Sequence, residues 1–402
     1  MAGSKRVYIT LIWLKRSLDS TYCMKNNNKQ HRLPDPASYI SIIHVETDCI
    51  DHPVTREILA RAGSIPIEII TEGNNMVPDL GFYPKTLTAG KRHLLLGKNR
   101  GRFFKPCPGT KEYICCDYQV LNIGMNCPMD CVYCILQAYL NNSYLSFFVN
   151  IEDLLRELTE ALSHTPDRFW RIGTGEFTDS LALDRLTGLS RVLVQFMRDK
   201  NSAVLELKTK TDVVENLEGL DHGGRTVVAW SLNSPLIVAG EELRTASLQK
   251  RLAAAARCAS WGYKLAFHFD PIIYHQGWQD GYAETIERLF TTVPKENIAW
   301  ISMGCLRYLP SLKKIAGLRF PNSQFFHEEF IEGLDGKSRY FRTLRVEMYQ
   351  FLYQHLRHYA DPETCIYLCM ENNEIWQQVF GYTPDDRGGL PVMLDEAVNN
   401  SH

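Results

Sequence analysis

The sequence has no long apolar run. No stretch approaches the roughly 18 apolar residues that a membrane-spanning helix needs. The apolar run at 7–14 is short and stops at Lys15 and Arg16. It lacks the charged start, apolar stretch and small-residue cleavage site of a secretory signal. An excess of one charge is missing too: 44 Lys and Arg stand against 46 Asp and Glu, a formal net charge of −2. The chain is no polycation, so any hold on nucleic acid must come from a local basic patch. A disulfide-scaffold spacing is also absent, because the 12 cysteines are unevenly placed along 402 residues. These absences lead us to expect a reducing, cytoplasmic setting, where clustered cysteines favour metal or redox chemistry.

What is present is an ordinary globular composition, 45% hydrophobic and 22% charged, which allows a large core. Residues 1–38 carry the polar run 24–30 and then Pro34 and Pro36. A disordered or loosely docked extension is expected there. Residues 39–112 read as a mixed α/β region, with a helix over 54–62 and a strand over 65–71. From Gly81 to Lys111 there is no acidic residue, while Lys85, Lys91, Arg92, Lys98, Arg100, Arg102, Lys105 and Lys111 are basic and Phe103 and Phe104 sit among them. Such a segment can neutralise phosphates and stack on bases. It can equally be a solvated basic face over apolar neighbours.

From 113 onward a regular alternation begins. Apolar, β-branched runs at 113–121, 168–172, 203–209, 225–231, 263–269 and 298–303 predict six strands. Helical patterns lie between most of them: 151–163 opens at Asn150, and 245–261 closes at Gly262. The crossover at 212–220 is the least helical. Strand, helix, strand in this order implies parallel pairing, and six such strands make an incomplete α/β barrel. The region 311–402 differs. Arg339-Tyr-Phe-Arg-Thr-Leu-Arg345 leads into a helix through Gln354, Cys365-Ile-Tyr-Leu-Cys369 follows, and the last twenty residues are polar and expected to fray. For Arg339–Arg345 and its Tyr340 and Phe341, the solvated face is the preferred reading over a second phosphate site.

The segment Cys127-Pro-Met-Asp-Cys131-Val-Tyr-Cys134 carries the chemistry. Three thiolates within eight residues can wrap one face of a compact metal centre. Iron–sulfur clusters are held by cysteine thiolates, and three ligands on a four-iron cube leave one iron open to a cofactor. A structural zinc site would need four ligands, often in two separated pairs. Cys115 and Cys116 could complete that number, but at no common zinc spacing. In α/β barrels chemistry gathers at the C-terminal strand ends. There the sequence offers Gly173-Thr-Gly-Glu176, Lys208 and Lys210, Ser231 and Asn233, His268 and Asp270, then Cys305 and Arg307.

The Cys-x3-Cys-x2-Cys spacing, with Tyr133 just before the third cysteine, resembles the radical S-adenosylmethionine (SAM) superfamily. Further blocks resemble its spore photoproduct lyase family of DNA-repair enzymes over about residues 51–310. They are Asp51-His-Pro-Val-Thr-Arg-Glu-Ile-Leu, Cys134-Ile-Leu-Gln, Phe148-Val-Asn150, Lys208-Thr-Lys210, Trp230-Ser-Leu-Asn233 and Pro271-Ile-Ile-Tyr-His-Gln-Gly-Trp278. The resemblance implies a partial (β/α)6 TIM-type barrel of the radical SAM type, with an N-terminal mixed α/β region and a helical C-terminal extension. It implies a [4Fe–4S] cluster on Cys127, Cys131 and Cys134. SAM contacts are expected at Tyr133, Thr178, Lys210 and Ser231. Glu176 suits the amino group of SAM and Lys210 its carboxylate, while Gly173 and Gly175 would let the backbone approach closely. Tyr133, His268 and Arg307 are the expected catalytic positions.

The implied activity is a carbon–carbon lyase reaction on DNA. A 5′-deoxyadenosyl radical abstracts hydrogen from a methylene-bridged thymine dimer, and two thymines are restored. A reductant such as flavodoxin or ferredoxin would supply the electron. Two positions depart from the family pattern: no cysteine stands in 175–179, and Ile135 follows the cluster motif where the family has tyrosine. The hydrogen-return relay is therefore absent or rerouted, with Cys107, Cys115, Cys116 or Cys305 as substitutes. The alternative is a radical SAM enzyme acting on a different nucleic-acid, small-molecule or protein substrate.

Overall fold

A computed structural model describes residues 35–71, 83–109 and 113–399. Most of the expected extension at 1–38 lies outside them. Within it, Pro36–Tyr39 form a 3-10 turn, in which the Asp35 carboxylate accepts from the Ala37 N–H at 3.0 Å.

Eight strands make the main sheet, in the order Cys365–Leu368, Ile298–Cys305, Lys264–Ile272, Thr226–Ser231, Ala203–Thr209, Trp170–Gly173, Gln119–Leu121, Phe104–Pro106. The pairings are parallel except the last, where Phe104–Pro106 runs against Gln119–Leu121. The six strands read from the sequence are all present as neighbours, in chain order. Thr226–Ser231 is buried at every position, and so is Ile298–Cys305. Layers on both faces of a parallel sheet explain why these strands read as continuous apolar runs rather than alternations.

The C-terminal region is helical as expected, with Arg342–Tyr359 its longest helix. It also returns a strand, Cys365–Leu368, to the edge of the sheet. Up to residue 399 its end is helical rather than frayed. Leu390–Asn399 is a helix that buries Leu390, Met393, Leu394 and Val398, an apolar stripe at helical spacing within a polar composition.

A second sheet has the order Ile67–Ile70, Ile42–Glu46, His93–Gly97, Leu145–Phe148, Gly124–Met125. Its last two strands come from beyond residue 112, whereas Phe104–Pro106, from before it, belongs to the main sheet. The chain thus passes from one sheet to the other and back just ahead of the cysteine loop. A Cβ on Gly124 would stand 2.2 Å from the Ser146 carbonyl oxygen, so this close approach requires glycine.

The helices Pro53–Ala62, Ile151–His164 and Leu248–Ser260 fall where the pattern puts them. The Asn150 side chain does not cap its helix. It accepts from the Asn99 N–H at 2.9 Å and donates to Asp153 at 2.8 Å. The 212–220 crossover holds only the 3-10 turn Glu215–Leu217.

The basic segment is thinner than its composition suggests. Lys91 is buried, and Lys98 is paired with Asp48 at 3.1 Å. Phe103 is buried edge-on to Phe148, and Phe104 packs against Trp170. Both backbone N–H groups donate to Glu157, so these rings face the core and offer no stacking platform. Lys85, Arg92, Arg100, Arg102 and Lys105 are exposed; Lys111 lies outside the described residues. In the second patch Arg339 and Arg345 are buried against Asp335 and Glu371, and Tyr340 is fully buried.

Candidate active site

Cys127, Cys131 and Cys134 line one cavity of about 340 Å³ at the C-terminal ends of the parallel strands. A loop this short has little regular structure, so side chains hold it. Asn126 adopts a left-handed φ of 70°, which asparagine tolerates better than most residues. Its Oδ1 accepts from the Cys127 N–H at 2.9 Å, and its amide donates to the carbonyls of Ser143 and Tyr144. The Gln137 amide donates to the carbonyls of Cys131 and Val132 at 3.1 and 2.9 Å. Asp130 takes Lys91 at 3.0 Å and Arg319 at 2.8 Å. Burial would raise the Asp130 pKa, but the two cations outweigh it and hold the carboxyl at about 2.

The donor set fits a cluster. Burial pushes the Cys127 thiol up to about 12 and the Cys131 thiol well above its ordinary range, and metal ligation would replace those protons. A tetrahedral zinc with ~2.3 Å bonds would draw its sulfurs to ~3.8 Å of one another. Among the described residues, the group of three such donor atoms within 4.8 Å is Glu46, Asp48 and Cys49, not these cysteines. The wider spacing suits a polynuclear centre.

Tyr133, Glu176, Thr178, Lys210, Ser231 and Arg307 line the same cavity. The Tyr133 hydroxyl donates to Glu242, a buried carboxylate that also receives Arg251 at 2.5 Å. What Tyr133 offers the cavity is its ring, and Lys210 Nζ lies 5.8 Å from the ring centre. Arg307 donates to Asp270 at 3.0 Å and to the Cys369 sulfur at 3.4 Å. Burial opposes charge on Lys208, yet Glu176, Glu206 and Asp270 together raise its pKa. The room at Gly173 goes to protein, since an added Cβ would meet the Tyr118 hydroxyl at 1.4 Å, whereas Gly175 lines the cavity, with Lys208 3.0 Å from where its Cβ would stand.

Sequence reasoning missed Asp179 and Glu242. Asp179 accepts from the Thr209 hydroxyl at 2.7 Å and from the N–H groups of Lys210, Leu181 and Ala182. It locks the loop bearing Glu176 and Thr178 to the strand end bearing Lys210. The links that matter here, Asp179 to Thr209 and Lys210 and Glu242 to Tyr133, join positions distant in sequence, so spacing gives no signal for them.

His268 is not among the cavity-lining residues. Its Nε2 lies 2.8 Å from Glu206 and its Nδ1 2.7 Å from the Ser302 hydroxyl. With both ring nitrogens engaged in a buried network, the expected catalytic position offers no free nitrogen to a substrate. Glu206 would be raised by burial, but the charge and hydrogen bond of His268 hold it at about 2. His268→Phe is therefore expected to lower folding stability by about 3 kcal/mol, by stranding a buried carboxylate. Urea unfolding at neutral pH measures it, and an unchanged midpoint would return His268 to a substrate-facing role.

Cys107, Cys115, Cys116 and Cys369 also line the cavity; Cys305 does not. Burial pushes Cys107 and Cys369 up to about 12, while a hydrogen bond from the Cys116 thiol lowers Cys115 to about 6. A larger hollow of about 740 Å³, lined by Lys295, Arg357 and Arg387 among others, lies near the N-terminal ends of Ile298–Cys305 and Cys365–Leu368 and includes none of these four cysteines.

A mostly parallel partial barrel with a three-cysteine loop after its first parallel strand is the architecture of a radical SAM protein. A family model described as spore photoproduct lyase matches residues 39–361, and the chain belongs to that family. The spore photoproduct lyase of Bacillus subtilis (strain 168) is 23% identical over 319 residues, covering 78% of this chain and 90% of that one. The spore photoproduct lyase of Geobacillus sp. (strain Y412MC61) is 24% identical over 321 residues, with the same coverage. Among solved structures, a spore photoproduct lyase variant with bound AdoMet and dinucleoside spore photoproduct superposes with a TM-score of 0.74 at 22% identity, covering 83% of this chain and 99% of that one. Spore photoproduct lyase complexed with dinucleoside spore photoproduct gives 0.73 over 82% and 99%. These structures share the fold. Cys365–Leu368 and Cys369 lie past the end of the family match. No helix among the described residues is long and apolar enough to cross a membrane.

Proposed function

We propose that this chain is a cytoplasmic radical SAM lyase that repairs a thymine-dimer-type DNA lesion. It would hold a [4Fe–4S] cluster on Cys127, Cys131 and Cys134. The observation that carries the reading is one cavity lined by these cysteines together with Tyr133, Glu176, Thr178, Lys210 and Ser231. It occurs in a family whose solved members bind AdoMet and dinucleoside spore photoproduct. Cluster and SAM, when bound, supply a 5′-deoxyadenosyl radical. The chain's own residues bind, orient and exclude water. Lys210 neutralises the SAM carboxylate and Glu176 accepts from its amino group. The hydroxyls of Ser231 and Thr178 offer polar contacts, and the Tyr133 ring packs against the cofactor. Arg307, fixed by Asp270, places a cation on the substrate side. His268 acts through Glu206 as a positioning residue.

A lesion within a duplex must be flipped out to enter the cavity. The exposed Arg102 and Lys105 are suited to the flanking phosphates. Removing both charges (R102A/K105A) is expected to weaken binding to lesion DNA and to flatten its log–log salt slope by about 2; a fluorescence anisotropy salt series measures this. The electron comes from a flavodoxin- or ferredoxin-type donor.

The test is anaerobic reconstitution with a chemical reductant, SAM and dinucleotide spore photoproduct. Expected products are 5′-deoxyadenosine and the repaired dinucleotide. Absence of 5′-deoxyadenosine overturns the radical SAM reading. Its formation with the lesion left intact selects the second reading, a radical SAM enzyme for another substrate. Ile135 and Phe177 favour that reading, since neither carries a hydrogen-donating hydroxyl or thiol.

A further inference from the structure

The main sheet ends on two edge strands, Phe104–Pro106 and Cys365–Leu368, which occupy its first and last places. No strand pairing joins them. Loops from the two edges nevertheless meet. The Ile114 N–H donates to the Glu371 carbonyl across the seam at 3.0 Å, while each side is held to its own edge, the Cys107 N–H by the Tyr118 carbonyl at 2.9 Å and the Cys369 N–H by the Met303 carbonyl at 2.8 Å. At this seam stand four cysteines: Cys107 just after the first edge strand, Cys115 and Cys116 in the loop that follows, and Cys369 just after the last edge strand. All four line the cavity already described.

We propose that Cys107, Cys115, Cys116 and Cys369 hold a second cluster, also [4Fe–4S], which closes the seam of the barrel and shares the cavity with the first. Four thiolates are the common ligand set of such clusters. A structural zinc takes the same four thiolates, so the metal and sulfide content of the site decides between the two. Donors already point at the sulfurs: Arg307 reaches Cys369 Sγ and the Asp117 N–H reaches Cys115 Sγ, each at 3.4 Å. Hydrogen bonds of this kind stabilise ligated sulfur. The backbone repeats a feature of the first cysteine loop. Four described non-glycine residues have positive φ, and three adjoin a cysteine: Asn126 before Cys127, Asp117 after Cys116, and Met370 after Cys369. Such conformations are uncommon and mark constrained sites.

One chemical consequence follows. A thiolate bound to iron carries no S–H, so these four cysteines are withdrawn as hydrogen donors to a substrate. Cys305, the remaining substitute, is buried off the cavity. Hydrogen return would then have to come from a group other than a described cysteine.

The proposal stands apart from lesion repair, because it is read by iron content and not by turnover. The experiment is anaerobic reconstitution with iron and sulfide, followed by iron, sulfide and zinc analysis and by electron paramagnetic resonance of the reduced protein. The parent chain is expected to hold about eight irons. C127A/C131A/C134A should keep about four, with a reduced-cluster signal that does not respond to SAM. C107S/C115S/C116S/C369S should keep about four, with a signal that SAM shifts. About four irons in the fully reconstituted parent overturns the proposal, whatever the variants do. So does one zinc without sulfide in C127A/C131A/C134A.

Discussion

Cys131→Ala is expected to abolish SAM cleavage, with 5′-deoxyadenosine falling by at least ~10³-fold, which is ~4 kcal/mol of lost transition-state stabilisation. Three properties of Cys131 make it the most sensitive of the three ligands. It is the most deeply placed, being buried where Cys127 and Cys134 are half-buried. Its backbone is fixed on both sides, by antiparallel pairing with Glu242 and by the Gln137 amide on its carbonyl. And it directly follows Asp130, which Lys91 and Arg319 hold in place. The seam cysteines predict a finer result. The variant should not become colourless. It should lose about half its iron and all its SAM response, and product analysis beside iron analysis reads both. Full 5′-deoxyadenosine yield from Cys131→Ala would remove the cysteine triad from the chemistry.

The gathering of the three cysteines in one cavity was legible because its information is local: three thiols within eight residues come together whatever the fold. The six parallel strands were legible for a related reason, since burial on both faces leaves a continuous apolar run in the sequence. What escaped depends on partners far apart in the chain. The strand Cys365–Leu368 is only four residues long and pairs with Ile298–Cys305 across a helical region, so it reads like any short apolar run. His268 stood at a strand end like the other polar groups. Its register partner Ser302 and its ion-pair partner Glu206 lie on other strands, and they turn it inward. Phe103 and Phe104 looked like base-stacking residues because their neighbours in sequence are basic. Their neighbours in space are Phe148, Trp170 and Glu157. For the two phenylalanines sequence adjacency suggested exposure, and in every case a long-range contact decided the placement.

Asp130→Ala is expected to cost about 4 kcal/mol of folding stability at neutral pH. The Lys91 and Arg319 side chains are only 1% and 3% exposed, and removing their shared carboxylate leaves two uncompensated buried cations. The sign of the pH dependence follows from the lowered pKa. Asp130 titrates near 2 when folded, against an ordinary value of 3.8. Its stabilising contribution is therefore complete above about pH 4 and is lost as the pH falls through about 2, amounting to ~2 kcal/mol from the shift alone. The larger cost of Asp130→Ala reflects the stranded cations as well as the lost charge. Urea unfolding of parent and variant at pH 7 and at steps below pH 4 measures this, and the gap between them should narrow only in the acid range. Glu206 titrates in the same range, but it is common to both chains and cancels in the difference. The loss should also reach the metal site. Lys91 holds the Met129 carbonyl as well as Asp130, and Asp130 is the residue immediately before Cys131. Asp130→Asn, which keeps the shape and removes the charge, separates the two effects. If it loosens iron binding while leaving the loop folded, the ion pairs position Cys131; if its unfolding midpoint equals that of the parent, the buried cations are satisfied by the carbonyls around them and the brace is not electrostatic.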